Sequence, residues 1–308
     1  MYDAVLLIAF GGPNAMDEVR PFLANVLRGR PVPPERLEAV VHHYELIGGR
    51  SPLTELTLRQ ARGLAAELQA HGPALPVYVG MRNWAPYLHE TLAQMAEDGA
   101  RRAVGLILSP QQNDAGWGRY QRDVVDARAQ VGAAAPRVDY ADEFHAHPLF
   151  IKALSENVAA ALAQVPDARR ATAHLVFTAH SIPTAMAAAS PYVAQITEGA
   201  QLVAARVGQA RWSVAYQSRS GNPRDPWLEP DICDVVRTLA ADGVRDVVVL
   251  PIGFVCDHVE VLYDLDIEAR QVADALDVHF VRAATVNDHP MFLRALADLV
   301  RRVAARAT

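Results

Sequence analysis

Lysine is nearly absent from this sequence, and its scarcity argues against two kinds of enzyme. Among 308 residues there are 29 Lys and Arg side chains, and Lys152 is the single lysine. A nucleotide-binding P-loop requires Gly-Lys followed by Ser or Thr, whereas Lys152 lies between Ile151 and Ala153. Pyridoxal phosphate enzymes need a lysine on a loop or strand end, and Lys152 begins a predicted amphipathic helix. We therefore expect neither P-loop ATP chemistry nor a pyridoxal phosphate Schiff base.

Three further scarcities narrow the class of protein. The two cysteines, Cys233 and Cys256, form no Cys-x-x-Cys pair, which is consistent with a reduced compartment. The net charge is −6 and the arginines are scattered, so no basic surface for nucleic acid is expected. The longest apolar run, residues 247–256, is far shorter than the roughly 20 residues of a membrane span. Because no cationic leader precedes the first strand-like run, the sequence predicts a cytoplasmic protein.

Short apolar runs alternate with helical stretches along the whole chain. Continuous Val, Ile and Leu runs between helices are typical of parallel strands covered on both faces. The sequence therefore predicts a doubly wound α/β fold. The predicted strands are residues 5–10, 77–80, 104–108, 175–178, 213–216, 247–250 and 280–283.

The sequence also divides into two parts near residue 142. Residues 97–104 and 241–248 resemble each other, since each joins a helix end, an Asp-Gly pair and a strand. Two related lobes would explain this similarity, and so would the general reuse of the pattern in α/β proteins. Because residues 142–148 break the alternation, we predict an N-terminal lobe over residues 1–142 and a C-terminal lobe over residues 143–308.

Chemistry is expected in the loops after the strands, because ligands bind beyond the carboxyl ends of parallel strands. The loop at residues 10–13 is rich in glycine, but it continues to Pro13 and lacks the third glycine of a dinucleotide fingerprint, so a nicotinamide cofactor is disfavoured. His180 follows the strand-like residues 175–179. At this place an imidazole can act as a base or bind a metal, and an inert, hydrogen-bonded histidine explains the sequence equally well.

Three acidic residues follow the strand predicted at residues 247–250. Glu260, Asp264 and Glu268 are four residues apart, which places them on one face of a helix. Residues 257–260 also have the spacing of a capping box, so the face could be merely solvated, with Glu260 serving the helix end. Like charges one turn apart cost about 0.2–0.5 kcal/mol per pair, however. The alternative is a ladder that passes protons or cations inward, and carboxylate with imidazole suits Fe²⁺ or Zn²⁺.

Five segments together resemble the ferrochelatase family, in family order over nearly the whole chain. The resemblance is strongest to the soluble bacterial branch that inserts iron into coproporphyrin III, and within it to actinobacterial sequences. The segments are Phe-Gly-Gly-Pro at 10–13, Tyr-Glu-Leu-Ile-Gly-Gly-Arg-Ser-Pro-Leu at 44–53, Thr-Ala-His-Ser-Ile-Pro at 178–183, Gln-Ser with Pro-Trp-Leu-Glu-Pro-Asp at 217–218 and 226–231, and Pro-Ile-Gly-Phe with Asp-His-Val-Glu-Val-Leu-Tyr-Asp at 251–254 and 257–264.

This resemblance implies two Rossmann-like lobes, each a parallel sheet flanked by helices, with a porphyrin cleft between them. It implies that Fe²⁺ replaces two pyrrole protons without ATP and with no cofactor beyond the iron substrate. His180 and Glu260 are the implied inner pair at the metal, and which of them takes protons and which delivers iron stays open. Asp264 and Glu268 are implied as the outer, wetter part of the metal and proton relay.

Substrate-binding residues follow from the same resemblance. Ser51 and Tyr120 match positions near the porphyrin propionates, and Tyr44 lies in one of the matched segments. Arg28 and Arg30 would add charge-assisted contacts, which four propionates need more than two do.

The chain departs from the family pattern at three places. Phe10, also expected at the substrate, stands where the branch often has a tyrosine that ligates product iron, and a phenyl ring cannot do so. Leu27 precedes Arg28 where paired arginines are common, and His43 stands before Tyr44 where an arginine is common. Actinobacterial relatives can carry a 2Fe–2S cluster on four cysteines, but this chain has two cysteines, so no cluster is expected.

The leading hypothesis is therefore a lyase that makes Fe-coproporphyrin III (coprohaem). A protoporphyrin IX ferrochelatase is one alternative, although residues 31–36 lack the apolar lip that a membrane-drawn substrate favours. A non-catalytic tetrapyrrole-binding or metal-binding protein is another, although a passive binder needs no facing pair such as His180 and Glu260. The expected partners are the porphyrin, Fe²⁺ and, transiently, the downstream enzyme that handles coprohaem. We expect a monomer that binds no nucleic acid.

Overall fold

The computed structural model describes residues 1–28, 32–221 and 224–306. They form two compact units, each built on a four-stranded parallel sheet with flanking helices, so the predicted α/β fold class is confirmed. The first unit comprises Met1–Leu108, Ala115–Glu143 and the described chain from Asn287 onward. The second comprises Ser109–Asp114 and Phe144–Val286.

The first sheet is built around a strand that is buried along its whole length. In β1 (Ala4–Ala9) no residue is more than 3% exposed, so the strand lies inside the sheet and pairs in parallel on both sides. The other strands of this sheet are β2 (Val77–Met81), β3 (Arg102–Ile107) and β4 (Arg137–Tyr140). The spatial order is β2-β1-β3-β4.

The second sheet repeats this topology. Its strands are β5 (His174–His180), β6 (Trp212–Gln217), β7 (Asp246–Leu250) and β8 (His279–Arg282). The order is β6-β5-β7-β8, so in both sheets the first strand lies between the second and the third. The similarity noted between residues 97–104 and 241–248 falls at equivalent places, where Gly99 and Gly243 both have a positive φ after a helix. The repeated strand order favours two related lobes over chance reuse of a pattern.

Helices cover both sheets. No helix in the described parts of the chain is long and apolar enough to cross a membrane. The first unit contains α1 (Met16–Leu27), α2 (Pro34–Leu46), α3 (Leu53–His71), α4 (Leu88–Glu97), α5 (Arg119–Val131) and α13 (Pro290–Ala305). The second contains α6 (Pro148–Leu162), α7 (Asp167–Arg170), α8 (Thr184–Ala188), α9 (Tyr192–Val207), α10 (Ile232–Ala241), α11 (Val259–Leu262) and α12 (Arg270–Ala275). Two π-helical turns cover Asp114–Gly118 and Asp264–Ala269.

The two units differ from the predicted lobes, residues 1–142 and 143–308, in two segments. Helix α13 falls within the predicted C-terminal lobe, but it packs on α3 and β3 of the first unit. Phe292, Leu296 and Val300 on its buried face are each 0% exposed, and this apolar stripe needs a partner surface. Residues 109–114 belong to the second unit instead. A single cut in the sequence therefore does not separate the two units.

All seven predicted strands are present, with ends within two residues of the prediction, but β4 was not predicted. It lies at the edge of the first sheet, and none of its four residues is buried. Asp139 in its centre accepts hydrogen bonds from Nε of Arg102 at 2.6 Å and from the hydroxyl of Tyr2 at 3.1 Å. A short, charged edge strand lacks the continuous apolar run by which buried strands are predicted.

We expect Phe292→Ala to lower the free energy of unfolding by about 3–5 kcal/mol, because it leaves a cavity between α13 and the first unit. Urea unfolding measures the change. Val125→Ala on α5 is the control, since Val125 is 60% exposed and its truncation should change stability by less than about 0.5 kcal/mol. Equal effects of the two substitutions would contradict the packing of α13 described above.

Candidate active site

His180 is the last residue of β5, at the point where the strand order of the second sheet reverses. Such switch points are the usual ligand sites of doubly wound sheets. Nδ1 of His180 donates to the carbonyl oxygen of Ser181, and the hydroxyl of Tyr192 donates to the carbonyl oxygen of His180 at 3.0 Å. Nε2 lies 3.5 Å from Oε1 of Glu260. The fold thus brings together the two residues predicted as the inner pair.

The loop after β7 carries Glu260 into this site by passing close against the end of β5. The backbone N–H of Gly253 donates to the carbonyl oxygen of Thr178 at 3.1 Å. A Cβ atom at Gly253 would lie 2.8 Å from the Cβ of Ala179, so only glycine permits this approach. From β6, Nε2 of Gln217 donates to the carbonyl oxygen of Glu260 at 2.6 Å.

His180 and Glu260 stabilise each other's charged forms. Burial lowers the pKa of His180, but the charge and hydrogen bond of Glu260 outweigh it, and the pKa of His180 is raised. Burial raises the pKa of Glu260, but the charge and hydrogen bond of His180 outweigh that effect, and the pKa of Glu260 is lowered. The resting pair is therefore an imidazolium facing a carboxylate.

His258 adds a second imidazole beside Glu260, which the sequence analysis did not identify as a site residue. Its Nε2 lies 3.8 Å from Oε2 of Glu260. Its Nδ1 accepts the backbone N–H of Val261 at 3.3 Å, so the hydrogen of the neutral ring is on Nε2. Burial lowers the pKa of His258, which keeps the ring neutral. The ring of Phe254 packs edge-on against it with centroids 4.5 Å apart.

Asp264 is buried, whereas Glu260 is half-buried, so the expectation that Asp264 is the wetter residue is wrong. The hydroxyl of Ser218 donates to its Oδ2. Burial raises the pKa of Asp264; the hydrogen bond from Ser218 lowers it, the charges of Glu260 and Glu268 raise it, and the result is a pKa of about 7. Asp264 can therefore bind and release a proton near neutral pH. Glu268 is exposed, as expected for the outer end of the ladder.

The spacing of Glu260, Asp264 and Glu268 predicted that they lie on one regular α-helix, but the structure differs. Helix α11 gives way to the π-helical turn Asp264–Ala269, in which the N–H of Glu268 donates to the carbonyl oxygen of Tyr263, five residues back, at 2.9 Å. The predicted capping box is also absent, because His258 caps α11 and Asp257 accepts from Arg282 instead.

The four residues predicted to contact the metal form an open set. Within residues 1–28, 32–221 and 224–306, no three His, Cys, Asp or Glu side chains converge as a metal cage. His180 and Glu260 face each other, Asp264 lies beyond them on the π-helical turn, and Glu268 is at the surface.

In the first unit, three of the predicted substrate residues gather around a buried carboxylate. Asp123 accepts from Nη1 of Arg28 at 3.1 Å and lies 2.9 Å from Nε of Arg82. The guanidinium of Arg82 lies over the rings of Phe10 and Tyr120, 5.5 and 5.3 Å from their centroids. Phe10 directly follows β1, the first strand of this sheet, and His180 is the last residue of β5, the first strand of the other sheet.

The other residues predicted to bind the substrate are Ser51, Tyr44 and Arg30. Ser51 is buried, and its Oγ accepts the backbone N–H of Leu53 at 3.3 Å while its hydroxyl hydrogen can still donate. Tyr44 is 3% exposed and packs edge-on against Phe22, so it supports the unit from its core. Arg30 lies outside the described residues.

Several residues of these clusters were missed by the sequence analysis. Gln217 and Ser218 lie in a strand-end loop where chemistry was expected and in a matched segment, but neither was predicted as a site residue. Arg82 likewise follows β2 directly, and that position at a strand end was the available signal. Nothing in the local sequence distinguishes Arg119 and Asp123 on α5, where Nε of Arg119 lies 3.0 Å from Asp123.

A 2Fe–2S cluster held by four cysteines does not fit the cysteines of this chain. Four thiolates are required, and the 308 residues contain two cysteines. Cys233 and Cys256 are both buried. Burial and the nearby charges of Asp231 and Glu268 raise the pKa of Cys233 to about 12, which disfavours the thiolate form. That no cluster is bound stays a prediction.

Comparison with solved structures agrees with the described topology. The sirohydrochlorin chelatase SirB from Bacillus subtilis subspecies spizizenii, in complex with cobalt, superposes with a TM-score of 0.59 at 13% identity, covering 99% of this chain and 96% of that chain. SirB from Bacillus subtilis with Fe³⁺ superposes with a TM-score of 0.63 at 14% identity, covering 100% and 97%. At such low identity the likeness concerns the fold alone.

Comparison of sequences is more specific. A Streptomyces griseus subsp. griseus protein described as coproporphyrin III ferrochelatase is 46% identical, covering 99% of this chain and 86% of the relative. A Mycolicibacterium smegmatis protein with the same description is 44% identical, covering 97% and 89%. The ferrochelatase family model matches residues 2–304. Since both the model and these relatives extend over nearly all of its length, the chain belongs to the ferrochelatase family.

Proposed function

We propose that the protein inserts Fe²⁺ into coproporphyrin III and so forms Fe-coproporphyrin III. The observation that carries the proposal is 44–46% identity, over nearly the full length, to relatives described as coproporphyrin III ferrochelatases. The facing side chains of His180 and Glu260 at a sheet switch point support it. The reaction takes up one Fe²⁺ and releases the two pyrrole protons, so it balances without a nucleotide.

In this proposal Glu260, and not His180, is the first of the two residues to bind iron or to accept a pyrrole proton. Because the imidazolium of His180 already holds a proton, the carboxylate is the group with lone pairs to offer. An Fe²⁺ ion near Glu260 would lower the pKa of His180, and the imidazolium would give up its proton by way of Asp264. The neutral ring could then accept a proton from the substrate while Glu260 stays charged.

Asp264 carries protons away from this pair in the proposed mechanism. Its pKa of about 7 lets it take up and release a proton at neutral pH with little bias either way. The hydrogen bond from the hydroxyl of Ser218 lowers this pKa and so stabilises the carboxylate form. Glu268, exposed on the same π-helical turn, then delivers the proton to water.

The cluster at Asp123 is the proposed contact for substrate carboxylates. Arg28, Arg82 and Arg119 share this single carboxylate, so positive charge exceeds negative charge there. Porphyrin propionates can bind the excess through charge-assisted hydrogen bonds. Tyr120, next to Arg119, would add a hydroxyl.

Protoporphyrin IX is the second candidate substrate. It carries two propionates where coproporphyrin III carries four, and an arginine cluster favours the more highly charged molecule. Residues 32–36 begin Val-Pro-Pro and continue with Glu35 and Arg36, which do not form an apolar lip. A passive tetrapyrrole binder on this fold is the third reading, and a measured turnover separates it from the other two.

Under anaerobic conditions with Fe²⁺, we expect the purified protein to metalate coproporphyrin III, and to do so faster than protoporphyrin IX at equal concentration. Absorbance of the free and metalated porphyrins measures both rates. Equal or faster use of protoporphyrin IX would reverse the substrate assignment. If the protein inserts iron into neither porphyrin, the remaining hypothesis is a non-catalytic tetrapyrrole-binding or metal-binding protein.

His180→Ala should lower the insertion rate by at least about 100-fold, because it removes a proton acceptor of the reaction. His174→Ala is the matched control: His174 begins the same strand, is half-buried and contacts Oγ of Ser213 at 3.0 Å. Its rate should stay near wild type. Circular dichroism checks that both variants fold, and a fully active His180→Ala protein would make His180 a structural residue.

Glu260→Gln should lower the pKa of His180. In wild type, burial lowers this pKa and the charge of Glu260 is the largest effect that raises it, so removal of the charge takes away most of the support for the imidazolium. NMR titration of the histidine rings, with His180 assigned by its absence in His180→Ala, measures the change. An unchanged pKa would mean that Glu260 does not hold the imidazolium.

A further inference from the structure

Arg282 ends β8 and makes contacts that no motif in the sequence suggested. Its side chain is 14% exposed. Nε and Nη2 donate to the two carboxylate oxygens of Asp266 at 2.6 and 2.8 Å, and Nη1 donates to Oδ1 of Asp257 at 3.1 Å. The hydroxyl of Thr285 donates to the same oxygen of Asp257, also at 3.1 Å. One guanidinium therefore holds two carboxylates, and one of the contacts is bidentate.

The two aspartates flank, in the sequence, the segment that carries Glu260 and Asp264. Asp257 lies three residues before Glu260, and Asp266 lies two residues after Asp264. Helix α11 and the first half of the π-helical turn lie between them. Arg282 therefore fixes both ends of the segment that carries Glu260 and Asp264 to an edge strand of the sheet.

This segment depends on contacts from outside because its own helical structure is short and irregular. Helix α11 has four residues, and the turn that follows has the π geometry, which is rare and is frequently found at functional sites. The contact between Glu260 and His180 spans 3.5 Å. A misplacement of about 1 Å in such a site can reduce the rate about 100-fold.

We propose that Arg282 is a positioning residue for metal insertion. By holding Asp257 and Asp266, it sets the place of Glu260 relative to His180 and the place of Asp264 relative to Ser218. It acts through the two aspartates and contacts neither porphyrin nor iron. This role rests on the proposed function, but it holds for either porphyrin.

The test compares Arg282→Gln and Arg282→Lys with wild type, using coproporphyrin III and Fe²⁺. We expect Arg282→Gln to lower kcat about 100-fold while KM for the porphyrin changes less than about threefold, because only the reacting groups move. Arg282→Lys keeps the charge but cannot make the bidentate contact, so its loss should be smaller, about 10-fold.

Arg270→Gln is the matched control. Arg270 on α12 is half-buried, donates to the carbonyl oxygen of Phe280 on β8 at 3.0 Å and lies over the Phe280 ring. Its removal takes away contacts to the same strand, so the melting temperature should fall as for Arg282→Gln, while kcat stays within about threefold of wild type.

A double variant tests whether Arg282 acts through the carboxylate of Asp266. If it does, Asp266→Asn combined with Arg282→Gln loses no more kcat than Arg282→Gln alone, because both substitutions break the same contact. Losses that multiply would contradict a role through Asp266.

A wild-type kcat in Arg282→Gln, or an equal loss of kcat in Arg270→Gln, would overturn the positioning role and leave the proposed function intact. If Arg282→Gln does not fold, Arg282→Lys decides: a reduced kcat at a native melting temperature supports the role, and an unchanged kcat rejects it. A wild-type protein that metalates neither porphyrin would reject the proposed function, and the positioning role with it.

Discussion

Parallel strands all end at the same edge of their sheet, and the candidate site of the second unit depends on this constraint. Residues far apart in sequence meet there because each follows a strand of one sheet. A histidine, a carboxylate, their hydrogen-bond partners and an anchoring guanidinium are thereby collected without any local motif that contains them all. Strand β5 supplies His180, β6 supplies Gln217 and leads to Ser218, the loop after β7 leads to Glu260, and β8 supplies Arg282.

Charge compensation then fixes the geometry of this edge. A buried or half-buried charge is stable only beside a partner, and removal of one partner leaves the other uncompensated. His180 compensates Glu260, and Arg282 compensates Asp257 and Asp266. Asp264 has a hydroxyl partner in place of a cation. Burial raises its pKa, the hydrogen bond from Ser218 offsets only part of that effect, and the pKa is about 7. The residue with the weakest compensation is thus the one best suited to exchange protons.

The parts that sequence could predict are those with a one-dimensional pattern. Seven strands could be predicted from continuous apolar runs. His180 and Glu260 could be predicted because each follows one of these strands and lies in a segment that resembles the ferrochelatase family. The π-helical turn, by contrast, has no periodic pattern that distinguishes it from an α-helix, since Glu260, Asp264 and Glu268 are spaced as on a regular helix. The burial of Asp264 and the role of Arg282 are tertiary effects, since an arginine that ends a short edge strand has no recognisable pattern around it.

The two sheets share one strand order but present different chemistry at equivalent places. Phe10 follows the first strand of one sheet, and His180 ends the first strand of the other. The guanidinium that lies over the Phe10 ring belongs to Arg82, one of the arginines at Asp123, whereas His180 faces the carboxylate of Glu260. An excess of fixed positive charge suits the binding of anions, and an imidazole among carboxylates suits the handling of protons and divalent cations. In the proposed function, the same topology would thus serve two kinds of contact, one with a metal ion in the second unit and one with a polyanionic macrocycle in the first.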